Sequence, residues 1–107
     1  MTDREMLELA AKAARIDVLW HQAWNQFVFK TTYQKWNPLN DDGDALRLAV
    51  TLCMSVTNTP KRASVLARPD PEFGDWIDDS EPHLGDPYAA TRLAITRAAA
   101  EIGRNMK

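Results

Sequence analysis

The sequence predicts an α/β fold, a single-domain α-β-β-α-β-β-α sandwich whose mainly antiparallel sheet is covered by helices. Three observations predict it. Apolar residues recur at helical period in residues 2–15, 41–55 and 86–103, and four short runs between them have the β-branched, aromatic or alternating composition of strands. Helices flanking two hairpins can bury their apolar faces by layering on a sheet. The length of 107 residues fits one domain with one modest core, so the domain is expected to span residues 1–107.

The first helix opens at Thr2, which stands three residues before Glu5 as in a capping box. Met6, Leu9, Ala10 and Ala13 then follow at helical spacing, to about Arg15. "IDVLW" places Ile16, Val18 and Trp20 on one side of a strand and "FVFK" does the same with Phe27 and Phe29, which predicts a hairpin with its turn at His21 to Gln26. In "WNPLNDDGDALRLAV" (Trp36 to Val50), Pro38 keeps Asn37 out of the α region and favours a turn. Asp41 or Asp42 can then cap the second helix, with Asp44 adding charge at its positive end. A calcium loop is the competing reading of these aspartates. With Gly43 as the loop glycine, however, its first ligand would fall on Pro38 and its bidentate acid on Ala49, so the capping reading is preferred.

The second helix is apolar almost all round, only Arg47, Thr51 and Ser55 forming a polar stripe. It should therefore be covered on most sides, with Cys53 an inert thiol inside its apolar face. "SVTN" and "RASVLA" predict a second hairpin turning at Pro60 and Lys61. Asp86 as cap and Pro87 as first residue start the third helix, which continues through Tyr88, Ile95 and Ile102 to a stop at Gly103. The Ala-rich first and third helices are expected to pack closely. If helices cover both faces of the sheet, its strands need not alternate strictly, which would account for Leu19 and Val28.

Composition excludes several classes of function. The chain is 45% hydrophobic and 26% charged, as foldable domains are. No apolar run reaches the roughly 18 residues of a membrane span, and the opening residues are acidic where a secretory leader would be basic, so a cytoplasmic protein is expected. The lone Cys53 agrees with a reducing compartment. A net charge of −2 argues against general affinity for nucleic acid. The charge is also unevenly placed: seven acids and no Lys or Arg lie between Pro69 and Thr91, against thirteen bases and eight acids elsewhere.

No set of residues announces an enzyme. Cys53, His21, His83 and the carboxylates show no nucleophile with a base and an orienting group beside it, and the four glycines are isolated, so neither catalysis nor a cofactor is expected. His21 reads as an exposed turn residue. His83 with Glu81, Asp79 or Asp86 offers zinc or manganese ligand types, but the spacing matches no cage and no metal is expected.

The acidic segment, at about 69–86, reads as a solvated loop without regular structure. Its Phe73, Trp76 and Ile77 are expected to pack onto the sheet; if exposed, Phe73, Asp75, Trp76, Ile77, Asp78 and Asp79 form a protein-binding surface suited to a basic partner. Arg92, Arg97, Arg104 and Lys107 project from helix three on the opposite surface. Arg97 and Arg104 could make a weak nucleic-acid contact, although pairing of Arg97 with Glu101 at i+4 is preferred.

Two blocks carry a resemblance. "WNPLNDDGDALRLAV" and "DPYAATRLAITRAAAEIG" (Asp86 to Gly103), with an opening of the type "MTDREMLELAAKAA", resemble the small phage and prophage proteins of the phage ABA sandwich domain family. From about Thr57 to Leu84 there is no such likeness. The resemblance implies an α/β/α sandwich encoded by a phage or prophage, and brings no catalytic or binding residues with it. The expectation is a non-enzymatic accessory protein that binds a host or phage protein; the alternative is a small-molecule, metal or weak nucleic-acid-binding protein.

Overall fold

The computed structural model describes residues 1–67 and 76–106, and every structural statement below concerns those residues. The elements are α1 (Asp3–Ala14), β1 (Val18–His21), β2 (Gln26–Phe29), α2 (Asp42–Thr51), β3 (Ser55–Asn58), β4 (Arg62–Ala67), β5 (Ile77–Pro82) and α3 (Pro87–Arg104). The α/β class and the order of the seven predicted elements are as expected. Strand β5 is an addition, in a segment read as loop.

The strands form two antiparallel sheets, β1-β2 and β3-β4-β5, and not one. The chain after β2 explains the break. It turns back and occupies the outer edge of β2, with Phe29 N–H donating to Gln34 (2.9 Å), Trp36 N–H donating to Phe27 (3.0 Å), and a bridge between Val28 and Lys35. That edge therefore has no room for a strand of the second hairpin.

Helix α1 begins as its sequence directs, with Thr2 Oγ1 accepting from the Glu5 amide at 3.1 Å. It ends where Arg15 turns left-handed (φ 57°) and Ile16 N–H closes back on the Ala11 carbonyl at 2.9 Å. Helix α2 ends the same way: Cys53 takes the left-handed position (φ 54°) and Met54 N–H bonds the Ala49 carbonyl at 2.9 Å. This closure ends the helix at Thr51, before the cysteine, so Cys53 is exposed and not a buried thiol of the apolar face. Nor is α2 covered on most sides, since Leu46 and Val50 stand exposed on its outer face.

Asp41, directly before α2, caps it. Asp41 Oδ2 accepts from the Asp44 amide at 2.8 Å. Asp44 is itself buried; it accepts from the Asn37 amide (3.0 Å) and from Arg47 (2.8 Å), tying the Trp36–Pro38 turn to the helix. Trp36 and Pro38 are buried beneath that tie.

Helix α3 is capped by Asp86, whose Oδ1 accepts from the Ala89 amide at 3.0 Å, and Pro87 opens it. It does not stop at Gly103 but runs through it to Arg104, because Gly103 is buried where α3 packs on α1. A Cβ there would lie 1.9 Å from the Leu9 carbonyl oxygen. Ala10 and Ala11 of α1 share one core with Ala94, Ala98 and Ala99 of α3, the close packing that the Ala-rich pattern predicts.

In the three-stranded sheet β4 and β5 alternate, whereas all four residues of β3 are exposed. Ala63, Val65 and Ala67 of β4 are buried on the face that α3 covers, while Arg62 and Leu66 face outward and are exposed. In the hairpin, Val18, Trp20, Phe27 and Phe29 join the main core. Val28, on the other face, is also buried, whereas Leu19 opposite it is only half-buried. His21 is half-buried at the end of β1, not an exposed turn residue: it stacks on Trp24 at 4.0 Å and accepts from the Trp24 amide.

Candidate functional site

Strand β5 looks unlike a strand in sequence because its inward row is mostly acidic. Its register settles the orientation: Ile77 lies opposite Ala67, Asp79 opposite Val65 and Glu81 opposite Ala63. Cross-strand partners share a face, so Ile77, Asp79 and Glu81 all belong to the core-facing row under α3, and Asp78 and Ser80 to the outer one. Outward, Ser80 Oγ accepts from Arg62 Nε at 2.8 Å and meets Ser64 Oγ at 3.3 Å, which fixes the strand from its polar side.

On the inner side, β5 and α3 enclose an open groove of about 670 Å³. Its rim carries Trp76, 59% exposed, at the entrance to β5. Ile77 packs down against the core, and Asp79 lines the groove beside Arg97 and Glu101 of α3. Glu81 is 9% exposed and bonded to the Arg97 guanidinium, which compensates its charge. Asp79 has no such partner, and its Oδ2 is buried without a hydrogen bond. Burial, a side-chain hydrogen bond to Glu81 and the negative charges of Glu81 and Asp78 outweigh the pull of Arg97 and push the Asp79 carboxyl up to about 7.

Of the expected protein-binding residues, Trp76, Ile77, Asp78 and Asp79 are brought together here, while Phe73 and Asp75 lie outside the described residues. Trp76 is 59% exposed, whereas Ile77 packs against the core. Arg97 belongs to this same groove and not to an opposite surface. It bonds Glu81 in place of Glu101, which pairs instead with Arg104. Arg92 does not project: it is mostly buried, donating to the Leu39 carbonyl (2.9 Å) and to Asp42 (2.6 Å). Lys107 lies outside the described residues. The two arginines considered for nucleic acid are thus both engaged with carboxylates.

The residues weighed for a metal do not converge. His83 Nε2 meets Asn58 Oδ1 at 3.2 Å, Glu81 holds Arg97 and Asp86 caps α3. Among the described residues no group of three or more His, Cys, Asp or Glu side chains could hold a metal ion. No helix among them is long and apolar enough to cross a membrane.

Sequence reading missed Glu81 as a partner of Arg97. The available signal was the alternation Ile77, Asp79, Glu81 next to a two-residue turn at Leu84 and Gly85, hidden because two of the three inward residues are carboxylates. No protein-family model, curated protein or solved structure matches this chain.

Proposed function

We propose that this chain is a cytoplasmic phage or prophage accessory protein that works without catalysis, by docking a basic segment of another protein, a host factor being one form of partner, in the groove between β5 and α3. The observation that carries this reading is the exposed Trp76 on the rim of a groove whose acids outnumber its one arginine. A tryptophan at the mouth of a concave site is the common anchor of a protein interface. Asp78, Asp79 and Glu101 line the groove, Asp79 contributing its charge as it ionises near pH 7, while the guanidinium of Arg97 is already bonded to Glu81. A basic partner would be steered to it. Among the described residues β5 is also an end strand of its sheet, pairing only with β4, which favours an extended segment as the occupant. The phage origin rests on the resemblance of residues 36–50 and 86–103 alone.

Affinity capture of the tagged protein from a bacterial lysate, at low and moderate salt and beside Trp76→Ala, tests the reading. The melting temperature of the variant, measured by circular dichroism beside that of the wild type, keeps it a fair comparison. The expected result is a basic protein retained by the wild type, weakened by salt and lost from the variant. The same proteins on both baits, or nucleic acid as the species retained, would overturn it.

A further inference from the structure

Asp79 and Glu81 stand two residues apart on the core-facing row of an end strand, under a helix that supplies one guanidinium for both. The other charged groups around them do not restore the balance. On β5, Asp78 adds a negative charge; on α3, Glu101 is committed to Arg104. From β4 come only Val65 and Ala63, and from the start of the chain Met1, with its α-amino group, and Met6 line the same groove. One carboxylate is neutralised by Arg97, while the Oδ2 of the other is buried and unbonded. An ionised carboxylate in that position is costly, and a shared proton removes the cost.

We infer that β5 and α3 are joined by a proton-dependent clasp, closed when Asp79 and Glu81 hold one proton between them against Arg97 and slack when both carboxyls are ionised. The sign follows from linkage. The carboxyl of Asp79, raised from 3.8 to about 7 in the closed form, returns to its ordinary range when β5 opens. Between about pH 4 and pH 7 the closed form holds a proton that the open form has lost, so opening becomes easier as the pH rises through this window. Above pH 7 both forms are ionised and the dependence ends. The clasp forms one wall of the groove, so docking there would also follow pH; that consequence rests on the proposed function, whereas the clasp does not.

Two partner-free measurements test it. Carbon-13 titration of the wild-type carboxyls should place the Asp79 midpoint near pH 7, where an ordinary aspartate titrates near pH 4. Amide protection factors of residues 77–81, from hydrogen exchange corrected for intrinsic rates, should fall by at least about tenfold between pH 4.5 and pH 7. In Asp79→Asn that fall should shrink to less than about twofold, the neutral amide having no proton to lose. An Asp79 midpoint below pH 5, or protection in β5 with the same pH dependence in wild type and variant, would overturn the clasp. The wild-type titration decides the matter even if the variant does not fold. Failure of the clasp shows in these readouts, whereas failure of the docking reading shows in the capture experiment.

Discussion

Gly103→Ala is expected to lower stability by about 2 kcal/mol or more, although glycine-to-alanine replacement within an exposed helix would raise it by about 1 kcal/mol. The opposite sign follows from where the residue sits. The added methyl would lie 1.9 Å from the Leu9 carbonyl oxygen and 2.7 Å from the Leu9 carbonyl carbon. Both atoms are main chain, so no side-chain rotation can relieve the contact and α1 and α3 must separate. That separation loosens the alanine seam of Ala10, Ala11, Ala94, Ala98 and Ala99. Urea unfolding followed by circular dichroism should show the midpoint displaced to lower concentration. A variant as stable as the wild type would mean that the helices do not approach so closely.

Trp36→Ala should be the most damaging of the large-to-small changes, costing about 3–5 kcal/mol. Trp36 is 2% exposed and belongs to the same core as Phe27, Leu48 and Val65, so it joins the hairpin, α2 and the second sheet in one packed unit. Its amide also donates to the Phe27 carbonyl, holding the returning chain against β2. At this chain length the loss corresponds to a fall in melting temperature of roughly 15 °C. The matching change at Trp24, 50% exposed at the hairpin turn, should leave the melting temperature nearly unchanged, and equal effects at the two positions would contradict the placement of the core.

The sequence and the structure agree where a local signal decides the outcome. Thr2 with Glu5, Asp41 and Asp86 with Pro87 are caps whose chemistry depends on neighbours within three residues, and each starts a helix where expected. The strands "SVTN" and "RASVLA" have the bounds that their residue types predict. Agreement fails where the deciding partner is distant. Gly103 reads as a helix stop, yet it is retained within α3 because Leu9, far away in the chain, needs the space. The acids of β5 read as a solvated loop because only the pairing with Ala63, Val65 and Ala67 turns two of them inward.

The candidate site divides in the same way. Trp76, Asp78 and Asp79 stand out as an aromatic and acidic surface, and the groove contains them. That Arg97 closes on Glu81 could not be read from spacing, since the two residues are brought together by the packing of α3 on β5. The i+4 pairing with Glu101 is the simpler local expectation. It gives way because Glu81, buried in the sheet, gains more from a guanidinium than an exposed glutamate does, and Arg104 is at hand for Glu101.

Hydrogen exchange of the protein with and without the basic protein it captures tests whether a partner docks between β5 and α3. Docking there predicts added protection in residues 76–81 and in α3 around Arg97, with little change elsewhere among the described residues. Protection concentrated on the outer face of α2 around Leu46 and Val50, or at the hairpin turn around Trp24, with β5 unchanged, would contradict it.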